Sequence, residues 1–291
     1  MTGAPGPRRR WVLAARPRTL PAALVPVIVG VTLVRPHAIN WWNSVLCVVV
    51  ALTLQVGTNY ANDYSDGVRG TDEERVGPFR LTASKLVSAT TVRNAAFGSF
   101  AISAVAGLIL ASRTSWWLVL VGATALMAGW FYTGGPRPYG YYGFGELFVL
   151  IYFGLVATVG TAYVQHLSIA SRAWWLGAAT GFMACALLEA NNLRDVHGDA
   201  ASGKKTLAAR LTRGPASWLY VFCVAGVFIG MAGAGYVVVA LLAVALYVPA
   251  LRLAFSNRNG RELLTLLKYS ARAQLLLGLV LAVLLTLRVG L

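Results

Sequence analysis

Charge is scarce in this 291-residue sequence: only 12% of its residues are charged, and ten Asp and Glu stand against 25 Lys and Arg. The hydrophobic fraction is 57% and the mean hydropathy is +0.65. A chain this apolar is not a soluble globular protein, and its net charge of +15 does not indicate a nucleic-acid binder. Disorder is excluded too, because the sequence has nine Trp, eleven Phe and twelve Tyr. We therefore expect an all-α polytopic membrane protein that binds no nucleic acid.

Cysteine is also rare. Cys47, Cys185 and Cys223 all lie in apolar stretches without a paired spacing, which excludes a disulfide framework and a metal knuckle. We expect all three to be small buried hydrophobic residues. The arginines 8–10 precede an apolar run that has no small-residue cleavage site, so the first apolar segment is predicted to be an uncleaved helix.

Long apolar stretches predict nine transmembrane helices, since a helix needs about 20 apolar residues to cross a bilayer. The nine segments are Leu20–Val34, Ser44–Ala61, Leu86–Ala111, Trp116–Thr133, Gly143–Gln165, Trp174–Ala190, Ala216–Gly233, Gly235–Phe255 and Ala273–Leu287. Residues 1–15 are predicted to be a basic cytoplasmic tail, and residues 16–291 a single transmembrane domain.

The distribution of charge predicts the orientation. With the N-terminus in the cytoplasm, 21 of the 25 Lys and Arg fall on the cytoplasmic side, and only Arg35, Arg113, Arg172 and Arg288 fall on the other. All ten acidic residues fall on or near the cytoplasmic side as well. The positive-inside rule concerns Lys and Arg and does not require Asp and Glu to lie on one side. We therefore expect a polar site that opens to the cytoplasm.

Two acidic segments follow predicted spans and look like copies of one pattern. The first covers residues 59–72 and the second residues 191–199, after the second and sixth spans. Residues four apart share one face of a helix, so Asn62 and Asp66 form one stripe, and Asn191, Asp195 and Asp199 form another. Asp63 is rotated off its stripe.

Oxygen-bearing side chains on facing helix ends suit Mg²⁺, which takes one or two carboxylates and completes its shell with water and phosphate oxygens. The two acidic segments together predict a site in which metal ions hold a diphosphate. Neighbouring Lys and Arg side chains are expected to contact the diphosphate oxygens. The predicted metal ligands are Asn62, Asp63, Asp66, Asp72, Asn191, Asp195 and Asp199. The predicted diphosphate-binding residues are Asn62, Arg69, Arg80, Asn191, Arg194, Lys204 and Lys205.

The two motifs, with Gly203–Leu207 after the second, resemble the Asp-rich signatures of the UbiA superfamily of intramembrane prenyltransferases. Four further segments resemble the MenA branch, the 1,4-dihydroxy-2-naphthoate polyprenyltransferases of menaquinone synthesis: Gly70–Asp72, Arg75–Leu81, Tyr132–Pro136 and Pro138–Glu146. The resemblance runs from about Arg16 to the C-terminus. The sequence departs from the family at Thr212, where a glycine is usual, and near Tyr139, where other branches have a lysine and only Arg137 offers a cation.

The resemblance implies a UbiA-type helical bundle, Mg²⁺ as cofactor and location in a bacterial plasma membrane. It implies transfer of a polyprenyl group from polyprenyl diphosphate to 1,4-dihydroxy-2-naphthoate with loss of CO₂, and catalytic roles for Asp66 and Asp195. Tyrosine faces are expected to shield an allylic cation. Tyr139 is the first candidate among Tyr60, Tyr64, Tyr132, Tyr139, Tyr141 and Tyr142, which otherwise form an interfacial belt.

Two alternatives stay open. A prenyltransferase of the same superfamily with another aromatic acceptor, such as 4-hydroxybenzoate, has the same motifs. An ion-coupled transporter would place its polar groups near the bilayer midplane and not at helix ends. Glu146 either caps a helix or meets the acceptor. The sequence does not indicate the prenyl chain length, the lateral entrance for lipid or the oligomeric state.

Overall fold

The computed structural model describes residues 5–71 and 79–288, which form helices joined by turns, with no strand in those two ranges. The helices are α1 Pro7–Ala14, α2 Pro21–Thr32, α3 Trp41–Val68, α4 Ala89–Arg113, α5 Leu118–Phe131, α6 Gly145–Val149, α7 Ala157–His166, α8 Ser171–Ala201, α9 Leu207–Leu211, α10 Arg213–Gly233, α11 Val237–Ala254 and α12 Leu264–Leu287. A π-helical segment, Leu150–Val156, joins α6 to α7 without a break. Short 3₁₀ turns cover Pro17–Thr19, Pro36–Ala38, Tyr139–Tyr142 and Gly260–Leu263.

Seven helices of the described chain are long and apolar enough to cross a membrane: α3, α4, the α6–α7 unit, α8, α10, α11 and α12. The helices on either side of residue 20, bent by 55°, make an eighth if they are counted as one span. Helix α5 has 14 residues, or about 21 Å of length, which is less than the roughly 30 Å hydrocarbon core. Each of the nine predicted segments contains a helix, so the all-α membrane class is confirmed, whereas the count of nine stays a prediction.

Residues 59–68 of the first acidic motif and the whole of the second are helical. Helix α3 continues to Val68 and α8 to Ala201, well past the predicted ends of these spans. The stripes of residues four apart therefore exist as predicted. Asp72 lies outside the described residues.

Helix α8 is central in the bundle. In its most apolar 18 residues 72% are buried, against 33 to 50% in the other six spans. It packs most closely on α10 and on the π-helical segment, where glycines let the backbones approach. A Cβ on Gly230 of α10 would lie 2.7 Å from the Ala179 nitrogen, and one on Gly154 would lie 2.5 Å from the Gly177 oxygen.

The two ends of the bundle differ in charge. The end where α3 and α8 finish carries the acidic motifs, and we call it the motif end. At the opposite end the Arg113 guanidinium donates to the Asn43 side chain at 3.2 Å, and Arg288 donates to the Leu33 carbonyl at 3.2 Å. All four cations predicted for the external side lie at helix ends away from the acidic motifs. Which end faces the cytoplasm stays a prediction.

Part of the predicted N-terminal tail is ordered as α1, which packs beside the first motif. The Trp11 and Tyr60 rings meet edge to face at 5.4 Å, and the Tyr60 hydroxyl donates to the Trp11 carbonyl at 3.2 Å. The Asn59 side chain donates to the Ala15 carbonyl at 2.9 Å. These contacts place the chain before α2 against the end of α3.

Candidate active site

Asp66, near the end of α3, is fully buried and is contacted by side chains from three other parts of the chain. The Lys204 ammonium donates to Oδ2 at 2.9 Å, and the Arg80 guanidinium lies 3.5 Å from the same oxygen. The Tyr141 hydroxyl donates to Oδ1 at 2.5 Å. A carboxylate buried this completely stays ionised when such partners compensate its charge.

Tyr141 connects the loop between α5 and α6 to this cluster. Its ring has the Lys204 ammonium 4.8 Å and the Arg69 guanidinium 5.3 Å from its centroid, within the range of a cation–π contact. Arg69 also donates to two backbone carbonyls in the turn after α5. Burial, followed by the nearby Asp66 carboxylate, raises the pKa of Tyr141. The phenol therefore keeps its proton and acts as a donor to Asp66.

Asp63 lies one residue outside the stripe and is also fully buried. Its two carboxylate oxygens accept hydrogen bonds from the backbone amides of Leu81 and Thr82 at 2.8 and 2.9 Å. In the described structure this side chain anchors the segment that carries Arg80, and so brings that guanidinium to Asp66. A metal would have to compete with both amides for the Asp63 oxygens.

On α8 the carboxylate of Asp195 is held by the residue next to it. Arg194 donates to both oxygens, from Nε at 2.7 Å and from a terminal nitrogen at 2.6 Å, and both residues are buried. Asp199, one turn further along, is 7% exposed. Its carbonyl accepts a hydrogen bond from the Lys204 amide at 2.8 Å. The end of α8 therefore also positions the lysine that reaches Asp66.

The asparagines of the second motif have different surroundings. The Asn191 side chain donates to the Leu187 carbonyl at 3.1 Å. The Asn192 side chain donates to Glu146 at 2.9 Å, and lies 3.5 Å from the fully buried Glu189. Glu146 starts α6 and thus faces the second motif, a contact that the sequence left undecided.

A cavity of about 160 Å³ lies between the two motifs. Asn62 of α3 borders it on one side, and Asn191 and Asn192 of α8 border it on another. Arg16 borders it as well. In the sequence this residue is only one of the cations that predict the orientation. We call this space the polar cavity, and it brings side chains 129 positions apart to one site.

Aromatic rings also line the polar cavity. The Tyr139 ring stacks on Phe148 with centroids 4.0 Å apart, and Phe148 stacks in turn on Tyr152 at 6.1 Å. Tyr132 lies 5.6 Å from Tyr139. The Tyr139 hydroxyl donates to the Ala128 carbonyl at 2.9 Å, so the phenol is engaged with backbone while the ring borders the cavity.

The donor set of this site fits Mg²⁺. Within residues 5–71 and 79–288, no three carboxylate, imidazole or thiol side chains are grouped closely enough to hold a metal by themselves. A magnesium ion needs only one or two carboxylates when phosphate oxygens are present. The Asn62 Oδ1 atom is buried without a hydrogen-bond partner and borders the polar cavity. That oxygen and the nearby carboxylates are the ligand type that Mg²⁺ prefers.

The structure separates the predicted cations by burial. Arg80, Arg194 and Lys204 are buried next to carboxylates, whereas Arg69 and Lys205 are exposed. The contacts that sequence reasoning missed are the Tyr141 bond to Asp66 and the stacking of Tyr139 on Phe148. No spacing in the sequence indicates them, because each joins separate elements.

The profile of the UbiA prenyltransferase family matches residues 23–270. The chain belongs to this family. A 1,4-dihydroxy-2-naphthoate octaprenyltransferase of Mycobacterium tuberculosis is 46% identical over 282 residues, which cover 94% of this chain and 95% of that protein. One of Bacillus subtilis is 29% identical and covers 94% of this chain and 90% of its own length. The predicted resemblance to this branch of the UbiA family is confirmed.

Solved structures agree on the architecture. A UbiA homolog from Archaeoglobus fulgidus bound to DMAPP and Mg²⁺ matches with a TM-score of 0.64 at 18% identity, over 94% of this chain and 99% of that chain. A UbiA homolog from Aeropyrum pernix matches with a TM-score of 0.68 at 15% identity, over 91% and 95%. Identities this low establish the fold alone, and the predicted UbiA-type bundle is confirmed.

Proposed function

We propose that this protein transfers a polyprenyl group from polyprenyl diphosphate to 1,4-dihydroxy-2-naphthoate, releasing diphosphate and CO₂ and forming demethylmenaquinol. The polar cavity carries the proposal, because Asn62 of the first motif and Asn191 and Asn192 of the second border it together with Arg16. Relatives with this activity in their names match over nearly the whole chain, and they are bacterial, which supports location in a bacterial plasma membrane. The distribution of Lys and Arg supports a site that opens to the cytoplasm.

The motif end binds the diphosphate in this proposal. Asn62 and Asp66 of α3 and Asn191, Asp195 and Asp199 of α8 would hold Mg²⁺, which supplies neutralisation of the charge that builds on the leaving group. Arg80, Arg194 and Lys204 contact diphosphate oxygens, and the two arginines can do so bidentately. Each of these cations contacts a carboxylate in the described structure.

The aromatic side of the cavity receives the reacting carbons. When the C–O bond of the donor breaks, its electron pair leaves with the diphosphate and the allylic carbon becomes electron-poor. The faces of Tyr139, Phe148 and Tyr152 stabilise that carbon and exclude water. The electron-rich naphthoate ring attacks it to form the new C–C bond. The bond to the carboxylate then breaks, its electrons return to the ring and CO₂ departs.

The alternatives make different demands on the same site. A benzoate acceptor would use the same diphosphate end, so only the acceptor side of the cavity distinguishes it. An ion-coupled transporter would need its charges at mid-membrane, but Asp66 lies two residues from the end of α3 and Asp195 six from the end of α8. The helix-end position favours the prenyltransferase.

The deciding experiment is an assay of the purified full-length protein in lipid nanodiscs. Mg²⁺, a long-chain polyprenyl diphosphate and either 1,4-dihydroxy-2-naphthoate or 4-hydroxybenzoate are supplied, and products are identified by mass spectrometry. We expect prenylated naphthoquinol with release of CO₂, and loss of turnover when EDTA removes the metal. Product from the benzoate alone would move the protein to another branch, and no product from either acceptor would refute the proposal.

A further inference from the structure

Asn192 is a polar residue on the wall of the polar cavity that the proposed binding of Mg²⁺ and diphosphate does not use. It borders the cavity and is only 7% exposed. Its Nδ2 atom donates to a Glu146 oxygen at 2.9 Å and lies 3.5 Å from a Glu189 oxygen. The NH₂ group of this amide therefore faces two carboxyl groups, which matches its two donor hydrogens.

The same two contacts determine which atom of Asn192 is left for a ligand. In an amide side chain the carbonyl oxygen lies on the opposite side of the terminal carbon from the NH₂ group. The Oδ1 atom therefore points away from Glu146 and Glu189. In the described structure it accepts no hydrogen bond and is not fully enclosed by protein atoms. Asn192 thus presents an acceptor oxygen, without a donor, to the polar cavity.

The lining next to Asn192 suits an aromatic ring. Leu188, one turn earlier on α8, and Phe148 of α6 both border the cavity. Phe148 follows Glu146 by two residues, so α6 supplies both a carboxyl group that holds the amide and a ring of the cavity wall. Asn191, the residue before Asn192, is a proposed Mg²⁺ ligand. An aromatic molecule at Asn192 would therefore lie next to the end that binds the diphosphate.

We propose that the Asn192 Oδ1 atom accepts a hydrogen bond from the 4-hydroxyl group of the naphthoate acceptor, and that Glu146 is the positioning residue that orients this amide. This inference rests on the proposed function. The 1-hydroxyl group of the acceptor lies beside its carboxylate and donates to it within the molecule, so the 4-hydroxyl proton is the one available to the protein. A neutral amide oxygen is sufficient, because the attacked carbon loses CO₂ and the ring gives up no proton.

The orientation of the amide decides which ligands the site accepts. A half-turn of the Asn192 side chain would place Oδ1 against carboxylate oxygens, which offer it no donor, and would place the NH₂ group in the cavity. An NH₂ group cannot accept the proton of a hydroxyl group. With Glu146 in place, the site is built to bind a hydroxyl group, and such a site disfavours an analogue that lacks it because the protein acceptor is then left unpaired.

The test measures the dissociation constants of 1,4-dihydroxy-2-naphthoate and 1-hydroxy-2-naphthoate for the full chain in nanodiscs, under anaerobic conditions with Mg²⁺ and inorganic diphosphate. The two ligands differ only in the 4-hydroxyl group. We expect the native protein to bind the dihydroxy compound about tenfold more tightly, because the other compound leaves a buried acceptor without its donor. Asn192→Leu removes that acceptor and should reduce the preference to less than about twofold.

Variants at Glu146 test the positioning role. Glu146→Gln keeps a side-chain oxygen for the Asn192 Nδ2 atom and should retain the preference for the dihydroxy compound. Glu146→Leu removes that oxygen, so the amide can turn and the preference should fall as in Asn192→Leu. Cys185→Ala is the control for local packing, because the Cys185 thiol donates to the backbone carbonyl of Glu146 at 3.3 Å and not to its carboxyl group. This variant should retain the preference.

Equal affinity of the native protein for the two naphthoates, or an unchanged preference in Asn192→Leu, would overturn the assignment of Asn192. An unchanged preference in Glu146→Leu would overturn the positioning role, and a lost preference in Cys185→Ala would show that packing alone sets it. A preference that depends on Asn192 in a protein that transfers no prenyl group would refute the proposed function and support the binding role of Asn192. Prenyl transfer with a preference that is independent of Asn192 would do the reverse.

Discussion

Asp66 and Asp195 occupy similar places near the ends of α3 and α8, but their charges are compensated in different ways. Asp66 receives Arg80 from 14 residues away and Lys204 from 138 residues away. Asp195 receives Arg194, the residue beside it on the same helix. The first carboxylate therefore joins separate segments of the chain, whereas the second has a bidentate partner within its own helix. The two Asp motifs can thus provide similar ligands while their carboxylates make different structural contacts.

The largest expected effect tests what the two carboxylates share. Asp66→Ala and Asp195→Ala should each lower kcat about a thousandfold, because each removes a proposed ligand of the Mg²⁺ that would neutralise the charge on the leaving group. Turnover with long-chain donor and 1,4-dihydroxy-2-naphthoate measures this. Glu262→Ala is the control, since Glu262 is exposed in the turn before α12. A normal rate for Asp195→Ala would contradict the proposal that α8 contributes to the active site.

The next effect tests the difference between the carboxylates. Lys204→Met should destabilise the protein by about 3 kcal/mol, because the buried Asp66 loses the ammonium group 2.9 Å from its carboxylate. The free energy of unfolding can be measured by titration with sodium dodecyl sulfate. Lys205→Met is the control: Lys205 is exposed, so its replacement should change stability by less than about 0.5 kcal/mol. Equal losses in the two variants would contradict the linking role of Asp66.

Asp63→Asn separates anchoring from metal binding in the first motif. The amide side chain has only one acceptor oxygen, so one of the two backbone amides at Leu81 and Thr82 loses its partner, at a cost of about 2 kcal/mol in stability. Because the contact is structural, we expect the Mg²⁺ concentration for half-maximal activity to stay close to that of the native protein. A large increase in that concentration, without loss of stability, would make Asp63 a metal ligand instead.

The smallest expected effect concerns Tyr141→Phe, which removes one hydrogen bond to Asp66 and keeps the ring between Arg69 and Lys204. The hydrogen bond is expected to contribute about 1 kcal/mol of stabilisation. If the transition state loses this stabilisation, kcat falls about fivefold. Tyr142→Phe is the control, because the described structure shows no hydrogen bond of its hydroxyl and Tyr142 is exposed. Identical rates for Tyr141→Phe and native protein would show that the phenol only packs.

Helical periodicity predicted the parts of the site that lie on single helices. The spacing of Asn62 and Asp66, and of Asn191, Asp195 and Asp199, follows from the four-residue repeat of a helix, and α3 and α8 have this geometry. Apolar length predicted the membrane class for the same local reason. The count of nine stays a prediction, because length alone does not decide whether the 14-residue α5 crosses the bilayer.

The remaining features depend on how distant segments meet. The contact between Lys204 and Asp66, the backbone amides that occupy Asp63 and the approach of Asn192 to Glu146 join residues 138, 18 and 46 positions apart. A repeat along one helix carries no information about such pairs.

The π-helical segment Leu150–Val156 contains Tyr152 and Phe153, which border the polar cavity. A π-helical turn holds one more residue than an α-helical turn. Deleting one residue there would restore a regular helix and rotate everything on one side by about 100° relative to the other. Phe148 on one side of the segment and Tyr163 on the other would then change their relative orientation. The relative orientation of these two aromatic side chains thus depends on a single extra residue, which makes this segment intolerant of changes in length.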